Sequence, residues 1–234
     1  MLSFIKSTIE KLFKLWVVFS MKIEIKNVTK KFKDIAVLES VSMTLCEGKI
    51  YGFVGHNGSG KSVLLKIICA FYEPTSGEVL FDGINVIKEN SYPPDTRALI
   101  EKPNYLSELT GKENLLLLAQ VQNKIGEKEV DEILDVVGLQ KVANKKYYQY
   151  SLGMKQKLGI AQVLMENPKI MIFDEPFNGL DDESAKKIRN ILLQEKEKGK
   201  IIVLATHIKE DVDILCDEIY KFNDGVVIKE NTKN

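Results

Sequence analysis

The octapeptide Gly55-His56-Asn57-Gly58-Ser59-Gly60-Lys61-Ser62 leaves this chain little freedom of fold. It follows a compact apolar run, Ile50–Val54, and precedes an apolar helical pattern over Val63–Phe71. Glycines at this spacing let backbone amides close around phosphate oxygens with no Cβ in the way. The N-terminus of the following helix adds the positive end of its dipole. Gly-x-x-x-x-Gly-Lys-Ser between a strand and a helix therefore predicts a nucleoside triphosphate site. Gly55, His56, Asn57, Gly58, Ser59 and Gly60 form the cradle, Lys61 reaches the β- and γ-phosphates, and the Ser62 hydroxyl ligates Mg2+. His56 reads as a solvent-facing position in that loop, not a proton carrier.

The rest of the pattern gives this loop a setting. Lys22–Val28 and Val41–Leu45 alternate apolar with polar, which predicts half-buried antiparallel strands. Pro74–Gly77 is a turn before a strand at Glu78–Phe81. Thr110-Gly111-Lys112-Glu113 carries a capping box for a helix over Asn114–Val121. A second helix spans Glu127–Val137 and closes at Gly138, and a third begins near Ser151 and ends before Pro168. Strands at Ile170–Phe173 and Ile201–Ala205 then alternate with helices at Glu183–Lys198 and Lys209–Cys216, and Asn223-Asp224-Gly225 turns a hairpin. The lysines of 186–200, interleaved with Glu195 and Glu197, read as a solvated helix face. The whole predicts an α/β fold of P-loop NTPase type. It has a central, mainly parallel sheet, an N-terminal antiparallel β-subdomain and an inserted α-helical subdomain at approximately residues 104–167.

Composition narrows the function. Lys+Arg and Asp+Glu are 33 each in 234 residues, so the net charge is zero, which argues against nucleic acid as a partner. Cys46, Cys69 and Cys216 are scattered and odd in number, reading as reduced thiols, and two histidines cannot build a histidine-rich metal centre. No stretch reaches the roughly 18 apolar residues of a membrane span. Residues 1–20 carry Lys6, Lys11 and Lys14 with an apolar face of Ile5, Ile9, Leu12, Trp16 and Phe19. They read as an extension ahead of a domain over 21–234; a short interfacial helix is the alternative.

Ile170-Met171-Ile172-Phe173-Asp174-Glu175 places two acids where a buried strand leaves the sheet. Buried acids need compensation. Mg2+ offers it to Asp174, leaving Glu175 to orient and polarise an attacking water; the plainer alternative is that both merely cap the next helix. Tyr150-Ser151-Leu152-Gly153-Met154-Lys155-Gln156, with Ser151 23 residues before Asp174, resembles the signature motif Leu-Ser-Gly-Gly-Gln of ATP-binding cassette ATPases. The resemblance covers essentially residues 22–234. It implies that Phe32 stacks on adenine, unless it is ordinary core. It implies too that Asn178-Gly179-Leu180-Asp181 runs along a dimer interface and that His207 senses the γ-phosphate.

Two residues depart from the family pattern. Leu152 stands at the first signature glycine, but Ser151 and Gly153, which touch the γ-phosphate across the dimer in the family, are kept. A negative φ makes Leu152 tolerable, with its side chain free to pack under the helix start. Glu101 stands where most members carry glutamine; it either faces Mg2+ or turns outward.

The resemblance further implies ATP and Mg2+ as ligands and an ATPase working as a head-to-tail pair with a second cassette chain. The helical insertion displaces the signature from the chain's own phosphate loop, so each ATP lies between one chain's Lys61 and the other's Ser151. Transport then needs separate transmembrane permease subunits, which hold the chain on the cytoplasmic, inner face of the cell membrane. They dock at Lys102–Leu109, where Pro103, Tyr105, Leu106 and Leu109 can form an apolar groove. Ser-Leu-Gly-Met-Lys-Gln with Glu101 looks most like bacterial exporter cassettes of the antibiotic-peptide and multidrug resistance kind. The rivals are a soluble cassette acting outside transport and a regulatory subunit that binds ATP without cleaving it. Only 90 residues separate Lys61 from Ser151, too few for the long coiled coil of repair members.

Overall fold

A computed structural model describes residues 21–102 and 104–230. The extension expected at 1–20, Pro103 of the docking segment and residues 231–234 lie outside the described residues. Strands β1 (Lys22–Phe32), β2 (Ile35–Cys46) and β4 (Ser76–Phe81) form an antiparallel sheet in the order β2-β1-β4. The alternation read from the sequence sets its register, with Ile23 opposite Leu45 and Ile25 opposite Met43. Strands β1 and β2 run past the clean alternation into an exposed tip where Phe32 lies opposite Ile35, with bulges between Ile25 and Lys31.

The second sheet has the order β5-β6-β7-β3-β8-β9. Its members are β3 (Lys49–Val54), β5 (Thr96–Leu99), β6 (Ile170–Asp174), β7 (Ile201–Thr206), β8 (Glu218–Asn223) and β9 (Val226–Glu230). All pairs are parallel except β8 with β9, joined by the expected turn at Asp224 and Gly225, both at positive φ. Strand β5 carries no apolar alternation and was not expected. Only Leu99 of its four residues is buried, and Arg97 is tied to Glu166.

Strand period 2 gives the parallel sheet two apolar faces. Ile170, Ile172, Ile201 and Val203 share one core with the β1–β2–β4 sheet and helix α1 (Lys61–Ile68). Met171, Phe173, Ile202 and Leu204 face the other core. Helices α2 (Gly111–Gln122), α3 (Glu127–Val136), α4 (Leu152–Leu164) and α5 (Asp182–Glu197) cover that second face, beside α6 (Lys209–Leu215). Each fully buried side chain of this size contributes about 1.5–3 kcal/mol. The loops that carry Lys61, Glu175 and His207 leave the C-terminal ends of parallel strands β3, β6 and β7, where α/β sheets bind ligands.

Candidate functional site

The phosphate loop leaves β3 and enters α1 directly. Gly60, the N-cap of α1, has φ +104, and a Cβ there would stand 2.8 Å from the Val37 carbonyl oxygen. A Cβ on Gly55 would meet the Phe222 carbonyl oxygen at 2.5 Å. Both positions therefore exclude any side chain. Lys61 is only 5% exposed, and its Nζ donates to the carbonyls of Gly55 (2.7 Å) and His56 (3.0 Å). Burial draws its pKa below the ordinary lysine value, against the opposing pull of Glu175 and Asp174. An arriving phosphate would relieve that penalty. The His56 ring is exposed, within 2.9 Å of the Asn57 carbonyl and 3.3 Å of Asp224.

Strand β6 delivers Asp174 opposite Ala205 of β7, and Glu175 turns away at φ +50 while its amide donates to the Ala205 carbonyl. Glu175 Oε1 lies 2.8 Å from His207 Nδ1, at the end of β7. Its Oε2 is buried with no hydrogen-bond partner among the described residues. A cavity of about 500 Å3 brings Lys61, Ser62, Asp174 and Glu175 together, with Glu101, Leu152 and Asn178 on its other walls. A hydroxyl and a carboxylate are the hard oxygen donors Mg2+ takes. With the orphaned Glu175 Oε2 beside them, the residues present fit that ion.

The other expected site residues fall around this centre. Phe32 is not core: it is 42% exposed, edge-on to Tyr72 at 5.6 Å, with Lys30 Nζ 5.1 Å from its ring centroid. It lies outside the cavity wall. Ser151 N-caps α4, its Oγ accepting from the Met154 amide at 3.3 Å. Neither Ser151 nor Gly153 lines the cavity, whereas Leu152 between them does. Asp181 caps α5, accepting from the Ser184 amide at 2.8 Å.

Two expectations change. Leu152 is not tucked under the helix start. It stands 59% exposed across Gly179, because N1 of α4 faces the loop that follows β6. Glu101, at φ +61, borders the cavity, yet its carboxylate lies 2.5 Å from Lys66 Nζ, one turn along α1 from Ser62. Neither the metal-facing nor the free outward reading anticipated that partner. The hydrogen bond that Lys66 Nζ donates to the Glu101 carboxylate raises the Lys66 pKa.

Three further residues carry weight that the sequence reading did not give them. Gln156 Nε2 donates to the carbonyls of Glu175 (3.2 Å) and Pro176 (3.0 Å), tying α4 to the acid-bearing loop. Arg189, in the lysine-rich helix read as solvated, holds the fully buried Asp211 at 2.6 Å and lies 5.4 Å over the Phe177 ring. Burial pushes the Asp211 carboxyl above its ordinary pKa, against the pull of Arg189. Only a lone arginine among lysines could have hinted at this buried pair.

A parallel sheet whose β3 feeds a phosphate loop and whose β6 feeds an acid pair defines a P-loop nucleoside triphosphatase. The antiparallel sheet on one side and helices α2–α4 on the other narrow it. Residues 38–178 match the family model described as ABC transporter. The chain is 37% identical over 203 residues to the uncharacterized ABC transporter ATP-binding protein YybJ of Bacillus subtilis (strain 168), covering 87% of this chain and 93% of that one. It is also 37% identical to the bacitracin transport ATP-binding protein BcrA of Enterococcus faecalis, over 89% of this chain and 68% of BcrA. An ATP-binding cassette solved as a dimer in a post-hydrolysis state with ADP and Pi superimposes with a TM-score of 0.81 at 29% identity, covering 91% of this chain and 99% of that one. This chain belongs to the ABC transporter family, as an ATP-binding and ATP-hydrolysing subunit.

Proposed function

We propose that this chain is the motor of a membrane exporter for peptide antibiotics, working as a nucleotide-sandwiched pair. The BcrA relative, named for bacitracin transport, supports the cargo class. In this reading the amides of Gly55–Ser62 cradle the phosphates, Lys61 turns from the Gly55 and His56 carbonyls to the β- and γ-phosphate oxygens, and Phe32 stacks on adenine. Ser62 and Asp174 hold Mg2+, with Glu101 available once it leaves Lys66; the ion supplies charge neutralisation for the phosphate oxygens.

Glu175 acts as the base. His207 holds one carboxylate oxygen at 2.8 Å, which leaves Oε2, without a partner, to take a proton from water. As that water's oxygen bonds to the γ-phosphorus, the bond from phosphorus to the bridging oxygen of ADP breaks. Ser151 of a second chain accepts a bond from its own helix and so keeps its hydroxyl proton free for the γ-phosphate. The Gly153 amide and the positive end of the α4 dipole act beside it. Asn178 and Asp181 hold the loop between the two chains. Loss of the γ-phosphate removes the shared ligand and opens the pair.

The permease subunits dock beside residues 102–109. There Leu99, Tyr105, Leu118 and Gln162 line a cavity of about 280 Å3, and Leu106 is 60% exposed. No helix among the described residues is long and apolar enough to cross a membrane, so the chain's place on the inner membrane face depends on those partners. Nucleic acid has no part in this reading.

The observation that carries the reading is the meeting of Lys61, Ser62, Asp174 and the half-free Glu175 in one cavity. Glu175→Gln keeps the shape and removes the base, so phosphate release should fall by about 10²-fold or more. The same variant should accumulate an ATP-dependent dimer. Sedimentation that finds only monomer at saturating ATP would overturn the proposal.

A further inference from the structure

The departure at Leu152 is absorbed by none of the chemistry above. Its surroundings give it a task. Leu152 lies across the loop of residues 176–181. A Cβ built on Gly179 would come within 2.7 Å of Leu152 Cδ2 and 2.8 Å of Leu152 Cγ. The neighbouring residue fits as tightly: a Cβ on Gly153 would stand 2.8 Å from the Gly179 carbonyl oxygen. Gly179 sits at φ +79, which turns that carbonyl toward Gly153. Leucine at 152 and glycine at 179 therefore fill one space between them, 27 residues apart in sequence. Two residues farther along this loop, Asp181 caps α5, and one residue back, Asn178 borders the nucleotide cavity.

We infer that Leu152 and Gly179 form a steric key that locks the start of α4 to the loop before α5, so that Ser151 and Asp181 meet a partner chain as one rigid unit. Leu152 is thus a positioning residue, and it acts through Gly179. A side chain at residue 179 would have to push the Leu152 side chain out of this seat. A rigid unit loses less conformational freedom when it docks, which favours the closed pair. This inference rests on the two-chain reading for its consequence, though the lock itself belongs to a single chain.

The test is a double-mutant cycle with Leu152→Gly and Gly179→Ala in the Glu175→Gln chain. Dimer dissociation constants are measured by sedimentation at saturating ATP. Left-handed backbone disfavours alanine at 179 in both backgrounds, so that contribution cancels. Gly179→Ala should weaken the dimer far more when Leu152 is present, leaving a coupling of about fivefold or greater. Leu152→Met should stay near the parent, and Gly153→Ala, which strikes the backbone, should not be rescued by Leu152→Gly. Amide hydrogen exchange on the nucleotide-free monomer gives a second readout. Exchange across residues 177–181 should quicken in Leu152→Gly and not in Leu152→Met. Additive effects in the cycle, or exchange unchanged by Leu152→Gly, would overturn the inference. If the Glu175→Gln parent never dimerises, the two-chain reading fails by itself, and the exchange measurement still decides the lock.

Discussion

Glu101 is the residue at which identity and geometry part. Its carboxylate borders the nucleotide cavity yet rests on Lys66 at 2.5 Å, so an approaching cation must compete with an ammonium. An ion pair this exposed is worth at most about 1 kcal/mol, which sets the scale of the competition. Lys66→Met should therefore lower the Mg2+ needed for half-maximal hydrolysis by up to about fivefold. Glu101→Gln should shift it too, and a Mg2+ titration unchanged in both variants would remove Glu101 from the metal site. Lys61, Ser62 and Asp174 were legible because each sits in a short contiguous motif, and the Lys61 bonds fall within that motif, on Gly55 and His56. Glu101 was not, since its partner lies 35 residues away and is chosen by how α1 packs on the parallel sheet.

Elements follow local signals closely where those signals are reciprocal. The capping box holds: Thr110 Oγ1 accepts from the Glu113 amide at 3.1 Å, and Glu113 Oε2 accepts from the Thr110 amide at 2.6 Å. Thr110→Ala should cost about 1 kcal/mol, a fall in Tm of roughly 2–4 °C for a domain of this size, measured by calorimetry. Strand β8 is held by charge as well as by its ladder. Glu218 lies 2.6 Å from Lys49 of β3 and 2.7 Å from Lys229 of β9. Burial raises its pKa, but the hydrogen bonds from Lys229 and Lys49 outweigh that and leave it below the ordinary value of 4.5. A depressed carboxylate contributes stability above its unfolded pKa and loses it as pH falls through the folded value. Thermal stability should thus drop below about pH 4.5, and Glu218→Gln should start lower at pH 7 and fall less steeply in acid. Strand β5 shows the limit of pattern. An edge strand with one buried residue carries no periodicity; backbone pairing with β6, the Arg97–Glu166 pair and the burial of Leu99 hold it.

At the scale of the molecule, the motor is useful only if the nucleotide site reaches a membrane partner. Leu106 stands exposed next to Tyr105, whose hydroxyl donates to Gln162 Oε1 of α4 at 2.6 Å, so the docking segment and the signature helix are braced together. Leu106→Asp should abolish co-purification with the permease while the isolated chain keeps its ATPase rate; retained co-purification would move the docking surface elsewhere. The phosphate loop, the acid pair, the α/β class and, β5 apart, the order of helices and strands were readable from the chain in isolation. Such features rest on backbone freedom and on periods of 2 and 3.6 residues that any short window displays. The seat of Leu152 on Gly179, the burial of Asp211 under Arg189 and the capture of Glu101 by Lys66 were settled only when the sheet closed. Each joins residues 22 to 35 positions apart, and no local period records which distant surfaces will meet or which charge will be sealed from water.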